Sequence, residues 1–259
     1  MTYASVNELN MYYERHGEGR PLVLIHGGMS AIGTSFGPLL PGLATDHQVI
    51  AVEMQAHGHT ADIDRPLRYP DLAEDVAALL AHLGVDDADV MGYSVGAGVA
   101  TELVLRHPDL VGRLVLVSAA YRPDGLHPGL LDGIDQMKAE DMVGSPFHDE
   151  YLRIAPRPDD FPVTVERVKD LDRTFTGWTA EQVSGIDAPV LLVYGDSDIV
   201  TPEHAVELFR LLGGGVIGDV AGLPNAQLAV LPGTTHLTLV ERAEWLLSMM
   251  GEFLDKQEG

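Results

Sequence analysis

The chain has 259 residues, 46% hydrophobic and 21% charged, with 39 acidic residues against 16 basic ones and a formal net charge of -23. A single domain of this size buries roughly 70–75% of its unfolded surface, and the negative charge repels phosphate backbones and anionic headgroups, which argues against nucleic acid and membrane partners. The absence of cysteine excludes disulfides, thiolate metal sites and cysteine nucleophiles.

The plain account of the charge is a solvated acidic shell that favours solubility, with attraction of cationic partners as the alternative. Residues 1–14 lack a basic-then-apolar signal pattern, and no apolar run reaches the length of a membrane span. A cytoplasmic location is therefore the default expectation.

In chain order, Tyr3–Val6 and Met11–Glu14 look like a hairpin at one sheet edge. Leu22–Ile25, Val49–Val52, Ala88–Met91, Leu114–Val117, Val190–Tyr194 and Leu228–Leu231 read as core strands. Their near-continuous apolar character implies burial on both faces, so helices should cover both sides of the sheet. Helical patterns alternate with these runs, as in an α/β protein. Leu72, Val76, Leu79 and Leu83 recur at helical spacing, and Gly84 supplies a stop. A second helix opens near Ser94 with Gly96, Ala97, Gly98 and Ala100 and ends before His107-Pro108; its small residues allow close approach to the sheet. Leu239, Ala243, Leu246, Met250 and Phe253 trace one stripe along a long C-terminal helix. Between about Arg122 and Asp187 the rhythm breaks into many prolines and short helical stretches without a strand. This segment, 122–188, is expected to form a helical cap over a core made of 1–121 and 189–259.

Gly92-Tyr93-Ser94-Val95-Gly96 matches G-x-S-x-G between a buried strand and a helix. The sharp turn strains the serine backbone and exposes its hydroxyl at a helix N-terminus, where free N–H groups favour negative charge. A dinucleotide fingerprint beginning at Gly96-Ala97-Gly98 is the competing reading; Thr101 stands where its third glycine is needed, and the strand is not the first.

A serine hydroxyl needs a base to take its proton. Among eleven histidines, His236 in Pro232-Gly233-Thr234-Thr235-His236 lies at the C-terminal end of a core strand, where open α/β sheets place their sites. Gly195-Asp196-Ser197-Asp198 offers two carboxylates to orient it. Asp196 reads as a turn residue satisfying local N–H groups, and Asp198, further out, is favoured as the partner of the imidazole. The order Ser94, Asp198, His236 accompanies a nucleophile elbow. In His26-Gly27-Gly28-Met29, the N–H of Gly28, or else that of Met29, can join that of Val95 as an oxyanion donor, while His26 holds the loop. His57 and His59 are a weak metal signal, and no metal or cofactor is expected.

On His26-Gly27-Gly28, Ala56-His57-Gly58-His59-Thr60, Gly92 to Gly96, Gly195 to Pro202 and His236, the chain resembles the α/β-hydrolase superfamily over essentially its whole length. The resemblance implies a mostly parallel sheet of about eight strands with helices on both faces and a helical cap. Where that family commonly carries an R-G-H-G-x-S turn, this chain has Gln55-Ala56 before His57. The family's Asp-nucleophile dehalogenases and epoxide hydrolases differ from this chain at position 94.

The expected activity is hydrolysis of a small to medium, largely apolar ester or lactone through an acyl-enzyme, with water as co-substrate. Met29, Tyr93, Met137, Phe147, Tyr151 and Trp178 are candidate substrate contacts, and Met142, Phe161 and Phe175 add to the apolar content of the cap. The rivals are C–C bond hydrolysis or a lyase reaction on the same triad, a non-enzymatic receptor, and a peroxide-dependent side activity. The first of these wants a cation to hold a substrate carboxylate, for which Arg122, Arg153, Arg157 and Arg173 are available without one being singled out.

Overall fold

A computed structural model describes residues 2–255; Met1 and residues 256–259, at the outer ends of the two expected core segments, lie outside the described residues. Eight strands form one sheet: β1 (Thr2–Val6), β2 (Leu9–His16), β3 (Arg20–Ile25), β4 (His47–Val52), β5 (Ala88–Tyr93), β6 (Val111–Val117), β7 (Val190–Ser197) and β8 (Ala226–Thr235). Their spatial order is β1-β2-β4-β3-β5-β6-β7-β8. The β1–β2 and β2–β4 pairs are antiparallel, and the remaining pairs are parallel. The hairpin turns through Asn7 and Glu8, both at positive φ, as a two-residue hairpin turn requires.

Alternation explains why the strands read as unbroken apolar runs. Val23 and Ile25 enter one core while Leu22 and Leu24 enter the other, and Val90 and Met91 divide in the same way. Helices α1 (Ile32–Phe36) and α2 (Leu40–Leu43) follow β3, α3 (Tyr69–Leu83) follows β4, and α4 (Val95–Arg106) follows β5. Helix α3 stops at Gly84, whose φ of 69° places it in the left-handed region that favours glycine.

Between β6 and β7 lie α5 (Leu130–Gln136), α6 (Pro146–Ile154), α7 (Phe161–Thr174) and α8 (Ala180–Ser184), with short 3-10 turns between them. Specific bonds tie this segment to the rest of the chain. The Arg167 guanidinium donates twice to Asp62, Thr164 donates to the Ala56 carbonyl at 2.6 Å, and Trp178 Nε1–H donates to Glu102 at 2.6 Å.

Helices α9 (Pro202–Leu211) and α10 (Gly218–Ala221) precede β8. The C-terminal stripe is not one helix. Leu239–Glu241 forms a 3-10 turn, and α11 (Ala243–Leu254) begins after Arg242, whose ψ of 49° leaves the helical region. The break lets Leu239 bury completely while Leu246, Met250 and Phe253 still pack on the same face of the sheet. No helix of the described residues is long and apolar enough to cross a membrane.

The chain reverses its direction of travel across the sheet between β3 and β5, neighbours whose last aligned residues are Ile25 and Gly92. A crevice outside the carboxyl ends of such strands is where α/β sheets bind ligands.

Candidate active site

Ser94 sits at the tip of the β5–α4 turn with φ 55° and ψ −117°, a conformation that costs on the order of 1–3 kcal/mol in a non-glycine residue. The surroundings enforce it. The Ser94 N–H donates to the Val117 carbonyl at 2.9 Å, and the Ser94 carbonyl accepts from Ala97. A Cβ on Gly96 would stand 2.0 Å from the Ile25 carbonyl oxygen, and one on Gly92 would stand 2.2 Å from that of Gly96. The two flanking glycines are thus required by close backbone approach, and Gly98 gives way to the Tyr69 ring in the same manner. These contacts account for the glycines that, by sequence, also suggested a dinucleotide loop.

His236 Nε2 lies 3.1 Å from Ser94 Oγ, and its Nδ1 lies 3.1 Å from Asp198 Oδ1. With a carboxylate on one side, Nδ1 carries the proton and Nε2 presents its lone pair to the hydroxyl. The imidazole is held from behind by Tyr93, whose O–H donates to the His236 carbonyl at 2.9 Å and whose ring stacks on it with centroids 5.2 Å apart. Burial pushes the Tyr93 phenol up, so it remains a donor.

Asp198 is buried and well partnered. Oδ2 accepts from the Ser118 hydroxyl at 2.6 Å and from the Gly195 N–H at 3.0 Å, and Oδ1 also accepts from the Ile199 N–H at 2.7 Å. Burial alone would raise its pKa, but the bonds from His236, Ser118 and Gly195 outweigh it and hold the carboxyl below its ordinary value. Asp196 differs from its expected role as a local turn residue. Strand β7 runs on through Ser197, and Asp196 instead accepts from the N–H groups of Gly233 and Thr234, pinning β8 where it delivers His236.

The loop after β3 is fixed by two buried histidines. His26 Nδ1–H donates to the Gly27 carbonyl at 2.7 Å, and its Nε2 accepts from the Met54 N–H at 3.0 Å. His57 Nδ1–H donates to the Gln55 carbonyl, and its Nε2 accepts from the Met29 N–H at 3.0 Å. Desolvation lowers their pKa values to about 3 and about 4, respectively, so both are neutral. Met29, at φ 58°, therefore has its N–H engaged, which leaves Gly28 of the two candidates. Among the described residues no acceptor meets the Gly28 N–H, and Val95, first in α4, has no intrahelical acceptor for its own.

Ser94, His236, Gly28 and Val95 open into a cavity of about 280 Å³. Of the candidate substrate contacts, Met29, Met137 and Phe147 line it, together with Tyr69, Leu130 and Phe175. Three expected contacts lie elsewhere. Tyr93 is buried beneath the imidazole, Tyr151 packs with Phe161 and Val165 inside the β6–β7 segment, and Trp178 turns its indole N–H to Glu102. In each case burial of the ring is satisfied by protein neighbours. Ser118 and Asp172, both lining the cavity, escaped the sequence reading because neither stands in a recognisable motif.

Arg122 also reaches the cavity, but its guanidinium is shared among Asp124, Glu207 and the Tyr121 hydroxyl. Arg153, Arg157 and Arg173 are paired with Glu150, Asp160 and Asp170 on the surface. His59 pairs with Glu53, and no group of three metal-ligating side chains occurs among the described residues.

Comparison with known proteins agrees with this architecture. Over 125 residues, about half of either chain, the protein is 34% identical to the putative carbamate hydrolase RutD of Azorhizobium caulinodans. It is 26% identical to the pimeloyl-[acyl-carrier protein] methyl ester esterase of Vibrio atlanticus, covering 95% of this chain and 98% of that one. The solved meta-cleavage product hydrolase of Pseudomonas fluorescens IP01 superposes with a TM-score of 0.76 at 20% identity, over 98% of this chain and 97% of that one. The α/β-hydrolase fold family model matches residues 20–243, and the chain belongs to that family.

Proposed function

We propose that the protein is a serine hydrolase that cleaves a small to medium, largely apolar carboxylic ester or lactone through an acyl-enzyme. The observation that carries this reading is the continuous hydrogen-bonded chain from Ser94 through His236 to Asp198, ending in an apolar cavity. The esterase of Vibrio atlanticus, similar over nearly its full length, supports the same class of chemistry.

In this reading His236 Nε2 takes the Ser94 proton as Oγ attacks the substrate carbonyl carbon. The oxygen, now negative, meets the N–H groups of Gly28 and Val95 at the positive end of α4, each donor contributing on the order of a hundredfold or more in rate. Asp198 stabilises the imidazolium. His236 then passes the proton to the departing alkoxide, and a water deprotonated by His236 releases the acid and restores Ser94. Residues 122–188 act as a cap that excludes bulk water from the acyl-enzyme.

The C–C bond alternative needs a free cation for a substrate carboxylate. Arg122, already shared by three partners, and Asp172 in the same cavity, which has no ion-pair partner among the described residues, weigh against it. A panel of p-nitrophenyl esters of graded acyl length tests the proposal. Wild type should turn over the shorter members, and Ser94→Ala should lose several orders of magnitude in kcat while keeping its fold. Unchanged activity in that variant removes the serine mechanism, and a wild type without turnover favours a receptor.

A further inference from the structure

The cavity beside Ser94 is apolar along most of its wall, with one exception on α7. Val168 of that helix packs over the Gly28 loop; a Cβ on Gly28 would lie 3.1 Å from Val168 Cγ1. Asp172 is four residues further on and also lines the cavity. Side chains at this spacing share a helix face with Cβ atoms about 5–6 Å apart. Asp172 is therefore one helical turn along α7 from the side chain that packs on Gly28.

The other charges on α7 are neutralised. Glu166 pairs with Lys169, whose ammonium also donates to the Met137 carbonyl, and Asp170 pairs with Arg173. The Asp172 carboxylate has no hydrogen bond or ion pair with any described residue, and burial without a compensating charge raises its pKa to about 6. A half-buried carboxylate left bare is costly unless an opposite charge reaches it. Aromatic rings share the cavity with it, and the Asp172 charge acts on the Tyr69 phenol. Tyr69 and Phe175 both line it, with ring centroids 4.9 Å apart at 66°, and Trp178 backs them at 5.7 and 4.9 Å. Aromatic faces attract ammonium groups through the ring quadrupole, and a carboxylate beside them supplies the countercharge. The net charge of -23 draws the same ions toward the molecule.

We infer that the preferred substrate is an ester carrying an ammonium group on one arm, held by Asp172 and faced by Tyr69 and Phe175. This rests on the serine-hydrolase reading and narrows its substrate class. Asp172 is in these terms a specificity-determining residue, which selects by charge at a point remote from the scissile carbonyl.

The test compares two esters of nearly equal shape, p-nitrophenyl 4-(trimethylammonio)butanoate and p-nitrophenyl 5,5-dimethylhexanoate. Wild type should favour the cationic ester by about tenfold or more in kcat/KM, the size expected of a desolvated cation–π and ion-pair contact. Asp172→Asn should reduce the ratio to about twofold or less, the neutral ester serving as the internal reference in each enzyme. A wild type without the preference, or a preference that survives in Asp172→Asn, overturns the inference. Should that variant not fold, wild type alone decides. Choline should inhibit hydrolysis of the neutral ester at a concentration about tenfold or more below that of its uncharged isostere 3,3-dimethylbutan-1-ol, and equal inhibition overturns the inference. If the neutral ester is hydrolysed with dependence on Ser94, failure concerns Asp172 alone. If neither ester is hydrolysed, the serine-hydrolase reading fails and takes this one with it.

Discussion

Ser118 and Asp198 are joined by a 2.6 Å hydrogen bond, hydroxyl to carboxylate, across the ends of the neighbouring strands β6 and β7. Ser118 reaches it from a left-handed backbone at φ 53°, directly after β6. The carboxylate that faces His236 is therefore oriented from the next strand as well as by its own loop.

Removing that support should loosen the carboxylate without removing its charge. Ser118→Ala is expected to lower kcat on a p-nitrophenyl ester by about tenfold, the size of one hydrogen bond to an ionised group at the low end of its range. Steady-state kinetics with circular dichroism checks this. Unaltered kcat in a folded variant would show that the loop N–H groups suffice.

The two loop carboxylates should separate cleanly. Asp198→Asn replaces the acceptor that selects the His236 tautomer and should cost roughly 10³–10⁴ in kcat. Asp196→Asn touches the Gly233 and Thr234 N–H groups and the Ser197 hydroxyl, none of them in contact with His236, and should cost about tenfold at most, with a lower melting temperature. The reverse ranking would reassign the orienting carboxylate.

Tyr93→Phe removes the hydroxyl that holds the His236 carbonyl and leaves the stacked ring in place. A fall of about tenfold in kcat with nearly unchanged KM is expected, together with about 1–2 kcal/mol of stability from the unmet acceptor. A change in KM alone would instead mark Tyr93 as a substrate contact.

His26 and His57 make the fold acid-sensitive. Both have folded pKa values depressed from 6.5, to about 3 and about 4, by desolvation. The unfolded chain takes up their protons first, so stability present above about pH 6.5 is lost as pH falls toward 4. Urea unfolding should show a proton uptake from this pair that is about one at pH 6.5 and approaches two near pH 5, where a folded His57→Asn should reduce the slope by about one. A slope that does not change in that variant would contradict neutral burial of His57.

Local pattern carried the architecture because it is written in nearest-neighbour chemistry. Strands buried on both faces must be apolar throughout, as Leu22–Ile25 and Leu114–Val117 are, and α3 shows its stripe and its Gly84 stop. Ser94, Asp198 and His236 could be picked out because each follows a core strand, and the structure brings their side chains within hydrogen-bond range. The C-terminal stripe misled because periodicity persists through a 3-10 turn and does not register the break at Arg242.

What the amino-acid order determined by itself was the layered α/β fold and the three strand ends from which the candidate site is built. Only tertiary structure decided that Asp196 clamps β8, that Met29 has its N–H taken by His57, and that Ser118 braces Asp198. It likewise turned Tyr93, Tyr151 and Trp178 away from the cavity and left Asp172 in it without a hydrogen-bond or ion-pair partner among the described residues. The physical reason is range. Burial and helix periodicity act between residues a few positions apart, whereas these contacts join groups 28 to 80 positions distant, or set the direction of a ring whose sequence context allows several.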